Sequence, residues 1–107
     1  MATHTVHDRD RHEGKGRPYT FDGTLEVVHT AIGGARVEHV AVYRRDDGRH
    51  VVEFRRRGLL PGDLAADTYQ VVSPEDLRRA IVEGCGTAQA RSVARQLGFE
   101  IGGGGRR

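Results

Sequence analysis

Two segments of alternating apolar and polar residues flank Asp46-Asp47-Gly48, and this feature constrains the fold most strongly. A two-residue turn at Asp47-Gly48 would place apolar side chains opposite charged ones. A three-residue loop with Gly48 left-handed collects the apolar side chains on one face, and a slip of one residue would lose that arrangement. We therefore predict the three-residue loop. The pairs it predicts are Val42 with Val52, Val40 with Phe54, and Glu38 with Arg56.

The same period of two predicts further strands. Including the hairpin, the predicted strands cover about residues 19–30, 37–45, 49–57 and 68–72. Gly23 falls on the apolar side of the first strand and marks a candidate bulge there. Residues 59–67 contain Pro61-Gly62-Asp63, a turn-forming sequence, and are predicted to form a loop.

The C-terminal part carries helix signals. Ser73-Pro74-Glu75-Asp76 predicts a helix start, with an N-cap serine, a proline at the first helical position and acids in the first turn. Gly84-Cys85-Gly86 predicts a break in this helix. Thr87 is expected to cap a second helix, and Gly98 with Phe99 predicts a Schellman-type end.

These elements predict an α+β fold: an antiparallel sheet of about four strands in a meander, with C-terminal helices packed on one face. The chain has 107 residues, which is the size of one domain. Residues 1–18 are expected to be a disordered polar arm, residues 19–101 a single domain, and residues 102–107 a flexible Gly/Arg tail. The predicted core is Phe21, Leu25, Val27, Val40, Val42, Val52, Phe54, Val71, Leu77, Ile81, Val93 and Leu97.

The composition also indicates the cellular compartment in which the protein is expected. No stretch approaches the roughly 20 apolar residues of a membrane span, and the charged N-terminus has no apolar segment typical of a secretory signal. Cys85 is the only cysteine, so no internal disulfide can form. We expect a cytoplasmic protein with no membrane partner, in which Cys85 is a small residue at a helix junction.

The basic residues are unusual, since the 17 comprise arginines and the single lysine Lys15. Residues 36–57 hold seven arginines against four acids, whereas residues 58–90 hold five acids against Arg78 and Arg79. Arginine makes planar, bidentate contacts with phosphate and stacks on bases. A GC-rich genome, which encodes arginine in place of lysine, explains the same ratio.

Tyr43 and the surrounding arginines suggest a binding surface for single-stranded DNA or RNA. Guanidinium groups contact phosphates, and aromatic rings stack on bases. The candidate nucleic-acid-binding residues are Tyr43, Arg44, Arg45, Arg49, Arg55 and Arg57. The alternatives are a solvated charged face or a protein-interaction module, either an immunity or antitoxin-like protein or a small regulatory partner. Such a module would bind a charged partner through the same arginines or through the acidic stretch at residues 63–83.

The six histidines do not form a metal-binding motif. Those at positions 4, 7 and 12 have mixed spacing, and the predicted register places His39 and His50 on opposite faces of the sheet. A small hydrolase or nuclease using His39 or His50 is the third hypothesis, and it ranks last because no base with an orienting partner is evident. We expect no catalytic residues, no metal and no cofactor.

Residues 37–82 resemble the single-stranded DNA-binding domain of transcriptional positive cofactor four and its Whirly-like relatives. The resemblance lies in strands 37–44 and 51–56, the turn Asp47-Gly48, and residues 69–77 entering a helix. It implies a curved four-stranded sheet that binds single strands as a homodimer paired through the helix, although here Gly84-Cys85-Gly86 interrupts that helix. The same stretch, preceded by Phe21-Asp22-Gly23-Thr24-Leu25, is also similar to uncharacterised actinobacterial EXLDI-type small proteins.

Overall fold

The computed structural model describes residues 2–8, 17–60 and 65–99. The strands are β1 (Ala2–Asp8), β2 (Arg17–Gly33), β3 (Arg36–Arg45), β4 (His50–Gly58) and β5 (Ala65–Val72). A 3-10 turn, Pro74–Asp76, leads into helix α1 (Leu77–Gly84), and helix α2 (Thr87–Leu97) follows. The strands form one antiparallel sheet in chain order. The predicted α+β meander is confirmed, with five strands where about four were predicted.

The β3–β4 hairpin has the predicted register. Val42 lies opposite Val52, Val40 opposite Phe54, and Glu38 opposite Arg56. The loop comprises Asp46-Asp47-Gly48, and Gly48 adopts a φ of 91°, which is readily accessible only to glycine. Apolar pairing and turn chemistry therefore agree on one register.

One side of the sheet, which we call the helix face, packs against α1 and α2. Val40, Val42 and Val52 are at most 2% exposed. The remaining buried members of this core are Val27, Phe54, Leu77, Ala80, Ile81, Ala90 and Val93. Most of the predicted core is thus confirmed, while Leu97 is only half-buried against it.

The predicted disordered arm is wrong for residues 2–8, which form β1. This strand pairs with residues 17–23 of β2, and its one valine, Val6, is 0% exposed. Thr3 donates a hydrogen bond to Asp22, with 2.7 Å between Oγ1 and Oδ1. Burial of Val6 and the ladder to β2 stabilise a segment whose own composition favours disorder. The predicted tail, residues 102–107, lies outside the described residues.

The bulge of β2 lies at Leu25–Val27, not at Gly23. Leu25 pairs with Tyr43 and Val27 with Val42, so Glu26 is the extra residue. An extra residue reverses which side of the sheet the following side chains face. Leu25, predicted to be core, is consequently 44% exposed, and Phe21 faces away from the helices.

β5 begins at Ala65, so residues 65–67 of the predicted loop belong to the strand. Asp67 pairs with Arg55 and is 3% exposed. The turn Pro61-Gly62-Asp63 lies outside the described residues. β5 begins before the apolar alternation does. The reason is that a charged residue, Asp67, fills the inward position near its start, where the pattern would require an apolar side chain.

The helix boundaries largely follow the sequence signals. α1 ends at Gly84, as predicted. Thr87, expected to cap the second helix, is instead the first residue of α2, and Gly86 occupies the N-cap position. At the end of α2, Gly98 is left-handed, and the Phe99 backbone N–H donates to the Ala94 carbonyl at 3.0 Å. This bond confirms the predicted Schellman-type end.

The sheet curls toward the side opposite the helices, which we call the concave face. β1 and β5 occupy opposite edges of the sheet and still contact each other. A second, smaller core fills the curl, formed by Val6, Phe21 and Val51. Val71, predicted to join the main core, packs half-buried against this smaller one. The concave face, which the helices leave uncovered, is therefore partly closed by the curl of the sheet.

Candidate nucleic-acid interface

The register divides the predicted site residues between the two faces. Tyr43 and Arg45 on β3 share the concave face with Arg55 and Arg57 on β4, because alternate residues of paired strands face the same way. Arg49 follows the hairpin loop, ahead of β4. The structure therefore brings four of the six predicted residues onto one face.

Arg44 lies on the helix face, apart from that group. Its Nη1 is 3.6 Å from Oε2 of Glu26, the extra residue of the β2 bulge. His50 Nδ1 lies 3.6 Å from the other oxygen of the same carboxylate. Arg44, Glu26 and His50 line an open cavity with Leu97 and Phe99. Sequence adjacency placed Arg44 beside Arg45, but the strand period separates them.

All three tyrosines of the chain lie half-buried on the concave face. The rings of Tyr19 and Tyr69 are stacked, with centroids 5.4 Å apart and an interplanar angle of 12°. Tyr43 meets the Phe21 ring edge-on, with centroids 5.2 Å apart. This face therefore carries an aromatic group in which only Tyr43 was predicted.

Two of these tyrosines were not among the predicted site residues, although both lie in predicted strands. Tyr19 alternates with Phe21, Leu25 and Val27, and this unbroken apolar pattern hides the change of face at the Glu26 bulge. Tyr69 lies directly opposite Glu53, and the period of two places Glu53 on the face of Tyr43. Pairing β5 with β4 by register would have identified Tyr69.

Arg45 contacts this aromatic group directly. Its Nη1 donates to the Tyr19 hydroxyl at 2.8 Å, while its Nη2 donates to Asp47 in the hairpin loop. The Arg45 side chain is 27% exposed. The guanidinium therefore lies at the rim of the concave face, adjacent to a half-buried ring.

The interior of the concave face carries carboxylates as well as rings. Glu53 is 8% exposed and Asp67 is 3% exposed. The Tyr43 hydroxyl donates to Glu53 Oε1 at 3.4 Å. Burial raises the pKa of Glu53, and the nearby Asp67 charge acts in the same direction. A phosphate is therefore disfavoured in the interior, and any phosphate contact belongs at the rim.

Arg57 and Arg55 differ in their contacts with Asp67. Arg57 donates two hydrogen bonds to this carboxylate, at 2.6 Å to Oδ1 and 3.2 Å to Oδ2. Arg55 Nε lies 3.9 Å from Oδ1, and its side chain is 47% exposed. Arg57 is thus committed to a buried acid, while Arg55 keeps more of its guanidinium in solvent.

The histidines of the hairpin lie on opposite faces, as predicted. His39 Nδ1 is 2.7 Å from the Thr30 hydroxyl, and burial together with the Arg55 charge lowers the pKa of His39. His50 lies on the helix face beside Glu26. Within residues 2–8, 17–60 and 65–99, no three His, Cys, Asp or Glu side chains converge to ligate a metal.

Cys85 follows α1 and packs against the helix-side core. Burial raises its pKa to about 11, with a further contribution from the charge of Glu38. A thiol with this pKa stays protonated near neutral pH and is a poor nucleophile. This environment agrees with a packing role at the helix junction.

Comparison with known proteins gives no relative: no protein family, no curated protein and no solved structure matches this chain. In the described part of the chain, no helix is both long and apolar enough to cross a membrane.

Proposed function

We propose that the concave face binds single-stranded nucleic acid, with bases against the tyrosines and phosphates at the arginine rim. The observation that carries the proposal is that Tyr19, Tyr43 and Tyr69 share one face with Arg45 and Arg55. Base stacking on aromatic rings contributes about 1–3 kcal/mol per base, and arginines at the edge of a sheet contact the backbone.

The charge distribution supports one mode of binding. The buried carboxylate of Glu53 disfavours phosphate in the interior, where Asp67 is already paired with Arg57, whereas Arg45 and Arg55 lie at the rim and keep part of their side chains in solvent. A base carries no charge, and its amino groups donate hydrogen bonds that a carboxylate can accept. A single strand can direct its bases inward and its phosphates outward, but the bases of a duplex are stacked inside it. We therefore expect preference for single strands.

Fluorescence anisotropy with a labelled DNA of about 30 random nucleotides tests the proposal. We expect binding at low salt, weaker binding to the matching duplex, and affinity that falls linearly with salt on logarithmic axes. Arg55→Ala should reduce the salt slope by about one, because one phosphate contact is lost. No measurable binding at low salt would contradict the proposal.

Arg44→Ala is the matched control, because it removes the same charge from the neighbouring strand on the opposite face. We expect it to change the affinity less than about twofold, as a rim charge outside the interface does. Equal losses for Arg44→Ala and Arg55→Ala would indicate a non-specific charge effect and would contradict a site on the concave face.

A protein-interaction module is the second candidate, favoured by exposed leucines. Leu59 and Leu60 are 54% and 63% exposed, and the Leu59 N–H donates to the Ala35 carbonyl at 2.9 Å. Exposed apolar groups rimmed by charge are typical of a docking surface. A pull-down that returns one stoichiometric protein after nuclease treatment, and loses it in Leu60→Lys, would favour this function.

A further inference from the structure

β2 is longer than either of the strands it pairs with, and this leaves one edge without a described partner. β1 pairs only with residues 17–23, whereas β3 pairs on the other side with residues 23–33. Among the described residues, no strand pairs with the edge of β2 beyond Gly23. Unpaired backbone N–H and C=O groups along such an edge are a template for another strand.

The sequence of this edge lacks the features that usually prevent pairing. Residues 27–33 contain no Lys, Arg, Asp, Glu or Pro, and Val27, Val28, Thr30 and Ile32 are β-branched. The extra residue of the β2 bulge, Glu26, comes directly before this stretch. Natural edge strands are usually protected by charge, proline or a bulge, and the pairing-competent residues here have none of these.

The side chains of this edge also have an exposed apolar side. Val28 is 46% exposed and Ile32 is 73% exposed. They pair with Ala41 and Val37 of β3, so both lie on the side of the sheet away from the helices. Thr30 lies between them in the same orientation. Two apolar side chains thus flank a central threonine on one strand.

We propose that this edge pairs with the same edge of a second copy, antiparallel and centred on Thr30. A two-fold axis at Thr30 places Val28 opposite Ile32 of the second copy, and Thr30 opposite Thr30. Apolar β-branched pairs and threonine pairs are favourable cross-strand contacts. The edge is therefore self-complementary, as a two-fold interface requires. A charged peptide finds no counter-charge in residues 27–33.

The proposed dimer has a continuous antiparallel sheet with the helices of both copies on one side. Sedimentation velocity across a concentration series tests its formation. We expect a dimer that dissociates on dilution, and Val28→Lys with Ile32→Lys should weaken it about 100-fold or more through like-charge repulsion. Val82→Lys is the matched control, because Val82 on α1 is 44% exposed, and it should leave the dimer intact.

Cross-linking tests the register. In a Cys85→Ser background, Thr30→Cys should form an intermolecular disulfide on oxidation, because directly opposed residues can bring their Cβ atoms to about 4.5 Å, a separation that a disulfide bridges. Thr24→Cys, outside the paired stretch, should not. Circular dichroism verifies that each variant is folded. A wild-type monomer at about 0.5 mM, or a dimer that persists in the double lysine variant, would overturn the proposal.

A monomer would overturn the proposal whatever else occupies this edge. Nucleic-acid binding does not enter these measurements, so the dimer and the proposed function can fail independently.

Discussion

The ring of Tyr19 on β2 stacks on the ring of Tyr69 on β5, although β3 and β4 separate these strands in the sheet. The contact exists because the sheet curls toward the concave face. It joins the two halves of the meander and places both rings within the proposed base-binding surface. Curvature of the sheet and the candidate function therefore depend on the same pair.

A double-mutant cycle on this pair measures the contact. Tyr19→Leu, Tyr69→Leu and the double variant should show a coupling of about 1 kcal/mol in the free energy of unfolding. The coupling arises because each single substitution removes the ring–ring interaction. Urea denaturation provides all four values. Additive effects would mean that the stacked geometry contributes nothing beyond burial.

Matched substitutions of Arg57 and Arg55 test how much each side chain contributes to stability. Arg57→Met removes two hydrogen bonds from the buried carboxylate of Asp67, and we expect a loss of about 2 kcal/mol in the free energy of unfolding. Arg55→Met should lose less than about 0.5 kcal/mol, because its contact is longer and its side chain is 47% exposed. Chemical denaturation compares them. Equal losses would contradict the assignment of Arg57 to Asp67.

The raised pKa of Glu53 predicts how its contribution to stability varies with pH. Burial raises the pKa of Glu53 in the folded protein, so the folded state retains this proton to higher pH than the unfolded chain. The contribution of Glu53 to the free energy of unfolding should therefore fall as pH rises from about 4.5 through the raised pKa, and stay constant above it.

Glu53→Gln tests this contribution. The variant should lack the fall, and relative to the wild type it should be more stable at neutral pH than at pH 4. The comparison uses denaturant titrations of both proteins across this range, so that the other carboxyl groups cancel. A difference between the two proteins that does not change with pH would show that the Glu53 carboxyl titrates normally.

Gly84 is required by the packing of Phe54. A Cβ at Gly84 would clash with the Phe54 ring, whereas a Cβ at Gly86 would meet nothing within 4 Å. We expect Gly84→Ala to destabilise the protein by about 2 kcal/mol and Gly86→Ala by less than about 0.5 kcal/mol. Thermal unfolding of both variants compares them, and similar melting temperatures would contradict this packing.

The sequence predicted the β3–β4 hairpin correctly because two independent signals coincide there. Apolar alternation requires Val42 opposite Val52, and a left-handed Gly48 allows the three-residue loop that produces this pairing. The end of α2 at Gly98 was predicted for the same reason, since its C-cap chemistry is local. Local signals that agree with the buried pattern leave little freedom in the chain.

The incorrect predictions have a common cause: the structure at those positions depends on contacts between residues distant in the sequence. β1 is a strand because Val6 is buried beside Phe21 and Val51, and its own composition does not reveal these partners. The β2 bulge at Glu26 carries no glycine or proline signal, yet it decides which face Phe21 and Leu25 occupy. Predicting Tyr19 and Tyr69 as neighbours required both the bulge and the curl of the sheet.

Intrinsic tyrosine fluorescence tests the proposed function most directly. The chain has no tryptophan, and its three tyrosines all lie on the concave face. Titration with single-stranded DNA, corrected for absorption with N-acetyltyrosinamide, should give saturable quenching that high salt reverses, because bases stack on the rings. Emission that stays constant under conditions where anisotropy shows binding would place the nucleic acid elsewhere and contradict the proposed interface.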